Sequence, residues 1–194
     1  MQNFLTWLNQ NGQNTESVQV FDFDTTGRGM QAKKQFNPNS VVLAIPLNLI
    51  ITSKVCLQNE YFLKIGSELE KTNESITIQE VLITWLILEK RNLQSKWKPY
   101  LDVLPSSYTL PVQWPSKTIQ NLPSFCISQI TDEKRKVDKI IDKINTVLKT
   151  LEMTVPSERD YYWAYSTGNY IYSTFTKNIT QLKREMYTWE MLDI

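Results

Sequence analysis

Histidine is absent from the 194 residues, and with it go His-containing triads, imidazole metal sites and imidazole general bases. Cysteine is nearly absent: Cys56 and Cys126 stand far apart and in no metal-like spacing. Two reduced thiols, buried as small hydrophobes, are expected from this in preference to a disulfide, in a cytosolic or nuclear compartment. An excess of charge of either sign is also missing. Lys plus Arg number 21 against 20 Asp plus Glu, a net charge of +1, which supplies no field to gather nucleic acid or anionic lipid. No apolar run approaches the roughly 20 residues a membrane helix needs, and Met1-Gln2-Asn3-Phe4-Leu5-Thr6-Trp7-Leu8 lacks the basic start of a secretory signal. The expectation is a soluble, unexported protein whose partners are neither nucleic acid nor membrane.

What is present is aromatic. Six Trp, nine Tyr and seven Phe accompany an apolar content of 41%, so a packed fold is expected and not a disordered tail. The length suits one ordinary domain, or one with an insertion. No internal repeat, low-complexity tract or splitting linker interrupts it.

The first 56 residues read as β-rich. Phe4, Leu5 and Leu8 recur at helical spacing, with Gly12 placed for a left-handed C-cap. Val18-Gln19-Val20-Phe21-Asp22-Phe23 then alternates as a strand and runs into a flexible glycine loop, Thr25-Thr26-Gly27-Arg28-Gly29. Met30-Gln31-Ala32 follows. Val41-Val42-Leu43-Ala44-Ile45, stopped by Pro46, reads as a buried strand, and Leu49-Ile50-Ile51-Thr52 as the close of a region of small antiparallel sheets.

Helices dominate thereafter. Thr77-Ile78-Gln79-Glu80 carries a capping box, with Ile76 placed to staple onto Val81. Val81, Leu82, Trp85, Leu86 and Leu88 extend that helix to about Arg91, apolar almost all round, which marks it as central. Trp97-Lys98-Pro99-Tyr100-Leu101-Asp102-Val103-Leu104-Pro105 is too punctuated by proline for a long helix. From Asp132, the residues Val137, Ile140, Ile141, Ile144, Val147, Leu148 and Leu151 define a long amphipathic helix. Ser157 with Asp160 opens a last one through Tyr161, Tyr162, Trp163, Ala164 and Tyr165.

Three of these segments together resemble one family. Phe4-Leu5-Thr6-Trp7-Leu8 with Gly12, then Gly27-Arg28-Gly29-Met30-Gln31-Ala32, then Leu43-Ala44-Ile45-Pro46 leading to Leu49-Ile50-Ile51-Thr52, are similar to the N-terminal SET half of Rubisco large-subunit methyltransferase-like enzymes. Trp97-Lys98-Pro99-Tyr100-Leu101-Asp102-Val103-Leu104-Pro105 resembles the family's helical insertion, and Tyr161-Tyr162-Trp163-Ala164-Tyr165-Ser166-Thr167 the insertion's last helix. The resemblance implies an α+β fold: the N-terminal part of a SET fold, with small antiparallel β-sheets and a large helical insertion, lacking the C-terminal SET segment. On that basis residues 1–56 form the N-terminal SET segment, 57–175 the insertion and 176–194 a tail.

The resemblance also implies S-adenosyl-L-methionine (AdoMet) as methyl donor and a lysine side chain of a protein substrate as acceptor, with histidine the acceptor in one branch. Gly27, Arg28, Gly29, Met30 and Gln31 would line the cofactor pocket, because glycine lets backbone approach a ligand closely. Gln31 stands where some relatives place an Arg beside the cofactor carboxylate. Lys54 to Cys56 would form a second, less specific contact. No metal is implied. No catalytic residue is assigned: the family's Asn-His pair cannot exist without histidine, Asn169 fits an Asn-Thr-Arg-like run but Ile171 supplies no cation, and Tyr187 reads as packing. The expectation is therefore a protein-lysine methyltransferase relative in an incomplete form. The alternative is a non-catalytic protein-binding module on a partial SET fold. Against it, an apolar stripe such as that following Asp132 is more often core than interface.

Overall fold

The apolar spacing of Phe4, Leu5, Trp7 and Leu8 yields the expected opening helix. In the computed structural model, which describes residues 1–71 and 75–169, it is α1 (Gln2–Gln10). Two strands follow, β1 (Val18–Phe23) and β2 (Gly27–Ala32). Then come α2 (Ser53–Leu57), α3 (Glu60–Lys71), α4 (Ile78–Arg91), α5 (Lys98–Leu101), α6 (Ser116–Ile119), α7 (Ser124–Thr150) and α8, residues 158–169. The described chain is mostly helical with one two-stranded antiparallel sheet. It divides into two compact units: Met1–Thr52 with Lys96–Val103, and Ser53–Ser95 with the described residues from Leu104 onward.

In the first unit, Gly12 ends α1 as its position predicts. Its φ is +85°, its N–H donates to Asn9 O, and Gln13 N–H reaches back to Leu8 O. This pair of bonds closes the last carbonyls of the helix in a Schellman motif. Trp97 and Tyr100 then pack on α1: the ring centroids of Trp7 and Trp97 are 5.7 Å apart, and those of Phe4 and Tyr100 6.4 Å. Between α1 and the hairpin lies an apolar cavity of ≈ 220 Å³, lined among others by Leu5, Leu8, Val18, Val20, Met30 and Ile45.

Two expectations fail in this unit. The glycine triplet is not a loop: the turn is Asp24, Thr25 and Thr26, and Gly27 already pairs with Phe23. Nor do small sheets form beyond the hairpin. Val41–Ile45 is irregular and solvent-facing, with Val41 77% exposed, and of the expected closing segment Leu49–Thr52, Leu49 ends a single 3-10 turn (Leu47–Leu49) while residues 50–52 form no strand. A strand needs a partner for its ladder, and among the described residues none hydrogen-bonds to this run.

The second unit is built on α4. Thr77 Oγ1 accepts from Glu80 N–H while the Glu80 carboxylate accepts from Thr77 N–H, the complete capping box. Every residue from Glu80 to Glu89 is buried, as an apolar helix on all sides requires. Trp85 is 1% exposed and Leu86 fully buried; each such side chain contributes roughly 1.5–3 kcal/mol by leaving water. Val137, Ile144 and Leu148 bring α7 onto this core. That helix begins at Ser124, eight residues before the expected start. Its first turns bury nothing and expose Phe125, so no apolar stripe announces them. Ser157 caps α8 through Asp160, as expected, and residues 161–168 are all buried. Helices α2 and α3 were not anticipated. Both cysteines are free, Cys56 buried and Cys126 partly so.

Candidate functional site

Pairing in the hairpin places Val18 opposite Ala32, Val20 opposite Met30 and Asp22 opposite Arg28, all on one face. The other face carries Gln19 with Gln31, Phe21 with Gly29, and Phe23 with Gly27. Lys33 N–H donates to Ser17 O at 2.9 Å, which sets the phase of the ladder. Gln31, Gly29 and Gly27 are thereby the residues of β2 bonded to β1. The backbone N–H and C=O groups of Arg28 and Met30 turn outward, and no hydrogen bond among the described residues engages them.

The two glycines have different reasons to be glycine. Gly27 has a φ of +71°, and a Cβ there would meet nothing within 4 Å; its conformation follows from the turn. At Gly29 a Cβ would lie 3.1 Å from the Phe23 ring, so the missing side chain makes room for that ring, which meets Phe21 edge-on at 4.9 Å. The Arg28 guanidinium donates from NH1 to Val103 O at 3.0 Å and lies 3.8 Å from Asp22. Gln31 Oε1 accepts from Gln19 Nε2 at 2.6 Å. Met30 is 55% exposed.

The structure thus brings Gly27 to Gln31 together on one edge strand. It puts Lys54 to Cys56 on α2 in the second unit, where Cys56 is core and burial pushes its thiol up to about 12. Asn169 accepts from Gln79 Nε2 at 2.6 Å and lies at the rim of a cleft of ≈ 480 Å³ beside Tyr165, Glu133 and Ile130. Tyr165 donates its hydroxyl to Glu133, and burial, helped by that carboxylate, pushes the phenol up to about 12. Sequence reasoning missed both this pair and the Arg28–Val103 bond, because nothing in a linear chain links residues 32 or 75 apart. Ile171, Tyr187 and the tail 176–194 lie outside the described residues. Among those described, no group of three Cys, Asp or Glu side chains could hold a metal ion, and no helix is long and apolar enough to cross a membrane.

The outward peptide groups of Arg28 and Met30, with Gly27 and Gly29 on either side of Arg28, leave backbone donors and acceptors open to a ligand. Comparison with known proteins gives the class: the chain is similar to SET-domain protein methyltransferases of the Rubisco LSMT and SET domain-containing protein 4 group. It is 26% identical over 171 residues to SET domain-containing protein 4 of Mus musculus, covering 84% of this chain and 38% of that protein. It is 23% identical over 172 residues to the actin-histidine N-methyltransferase of Gallus gallus, covering 84% of this chain and 28% of that one. In structure it is similar to the SET domain of LSMT bound to MeLysine and AdoHcy, with a TM-score of 0.69 and 26% identity over 84% of this chain and 38% of that chain. No family model matches the chain. The chain spans less than two fifths of the length of these relatives.

Proposed function

We propose that this chain is the cofactor-facing part of an AdoMet-dependent protein methyltransferase whose acceptor is a lysine side chain, working in the cytosol or nucleus. The carrying observation is the outward edge of β2. Arg28 and Met30 present peptide groups there with no partner among the described residues, in a chain similar to a structure that holds AdoHcy. When bound, AdoMet supplies a methyl group on a sulfonium, open to in-line displacement by a neutral amine. The residues of this chain bind and orient: Arg28 and Met30 offer backbone hydrogen bonds, Gly27 leaves space, and the Met30 side chain contributes apolar cover. Gln31 keeps an amide where a guanidinium would pair with a carboxylate, and its oxygen is already taken by Gln19. Holding the acceptor is assigned to no residue here.

One observation favours the second reading, a non-catalytic protein-binding module. The apolar run Val41–Ile45 faces solvent. The two readings part on ligand binding. A ligand that binds only the folded state raises the unfolding midpoint, by about 2.7 kcal/mol of stability at 100 times its Kd. Thermal denaturation of the purified chain with millimolar AdoMet or AdoHcy is expected to shift upward by several degrees. An unmoved midpoint with both would set the cofactor reading aside in favour of the binding module.

A further inference from the structure

The Trp97–Val103 segment has a recognisable sequence and, so far, no role. It follows α4 in the chain, yet it is part of the first unit, where Trp97 and Tyr100 stack against Trp7 and Phe4 of α1. The Trp97 ring is 3% exposed and Leu101 buried, so the segment is firmly seated. At its end, Val103 offers its carbonyl to Arg28 NH1 at 3.0 Å. Arg28 stands at the centre of the glycine triplet, on the strand whose outward peptide groups form the proposed cofactor edge. An edge strand in a two-stranded sheet is marginal without a further support. The geometry points to Trp97–Val103 as that support, with Arg28 as a positioning residue: its guanidinium bonds the Val103 carbonyl and lies beside Asp22, and it serves the cofactor by holding β2 still. This assignment rests on the reading that β2 takes AdoMet.

The test uses the whole chain and two variants, Arg28→Ala and Arg28→Lys. Amide exchange is followed at Gly29 and Gln31, the residues bonded to β1, and at the core of α4, alongside AdoMet affinity. Arg28→Ala is expected to speed exchange at Gly29 and Gln31 by about three- to tenfold, the worth of one charge-assisted hydrogen bond at a wet site, and to weaken AdoMet by a similar factor, with α4 unchanged. Arg28→Lys, which keeps a charged donor on a flexible side chain, is expected to restore both together. Unchanged exchange in Arg28→Ala would overturn the inference. So would an Arg28→Lys chain that regains slow exchange without regaining affinity, since the guanidinium would then touch the ligand. A wild-type chain that binds no AdoMet, with faster exchange in Arg28→Ala, supports the anchoring while removing the cofactor reading.

Discussion

Lys143 Nζ on α7 lies 3.0 Å from Oε2 of Glu80 on α4, so one ammonium neutralises the carboxylate that also closes the capping box of the central helix. The same ammonium donates to Ser75 O. Glu80 is 8% exposed, and a carboxylate so placed is costly once its partner is gone. Lys143→Met is therefore expected to destabilise the second unit by about 1–3 kcal/mol, read from urea denaturation followed by circular dichroism. Glu80→Gln in the same chain should recover part of that loss, because the unpaired charge is removed. Equal stability of Lys143→Met and wild type would show the pair to be worth nothing.

The same carboxylate makes a pH prediction. Burial pushes Glu80 up, but the Thr77 amide, the Lys143 ammonium and the Thr77 hydroxyl outweigh it and hold the group below its ordinary 4.5. Asp160 is likewise held below its ordinary 3.8: burial opposes, and the Ser157 hydroxyl and amide with Lys90 and Arg91 prevail. Carboxyls with lowered folded values stabilise above the unfolded value and lose that contribution as the pH falls through the folded one. Stability is expected to decline from about pH 5 downward, and Glu80→Gln should flatten the decline. An acid limb identical in that variant would contradict the assignment.

At the alkaline end the phenols take over. Burial raises Tyr165, with Glu133 adding to it, to about 12 from an ordinary 10.0. Burial also raises Tyr161 and Tyr162. Groups with raised folded values stabilise below the unfolded value and lose that stability as the pH rises through the folded one. Denaturation midpoints should therefore fall from pH 10 upward, and tyrosinate absorbance should show a fraction of the phenols ionising only together with unfolding. Ionisation of all the tyrosines near 10 in the folded chain would contradict the burial of α8.

At the hairpin, Gly27 and Gly29 should respond differently to substitution. Gly27→Ala forces a side chain onto a φ of +71°, a cost of about 1–2 kcal/mol, and Gly27→Asn should be milder because Asn tolerates that region. Gly29→Ala meets only the Phe23 ring at 3.1 and 3.3 Å, which can give way. Proton NMR should then show shifted Phe21 and Phe23 rings in Gly29→Ala and a loosened turn in Gly27→Ala. The reverse assignment would show that the two glycines have been misread.

Three helix ends were legible because their signals are local. Thr77 with Glu80, Ser157 with Asp160, and Gly12 each act within one turn of chain, and each does in the structure what its spacing predicts. The β region was less so. Val41–Ile45 has the composition of a buried strand, but composition cannot supply a partner, and exposure here follows from the lack of one among the described residues. Gly27-Arg28-Gly29 looked like a loop because glycine usually breaks strands; in the structure both glycines lie on β2, with Gly29 closely packed by the Phe23 ring across the hairpin. Gly27 to Gln31 stand out in the sequence as five consecutive residues, and the structure places them on one strand, whereas the Arg28–Val103 bond depends on a return of the chain that no local pattern reveals.

The most direct test of the central claim is a nitrogen–proton NMR titration of the labelled chain with AdoMet. The amides of Arg28 and Met30, which face outward from β2, are expected to shift progressively and to saturate, while those of Leu86 and Ile87 in the core of α4 stay in place. Saturable shifts elsewhere with Arg28 and Met30 unmoved, or no shifts at all at millimolar AdoMet, would contradict it.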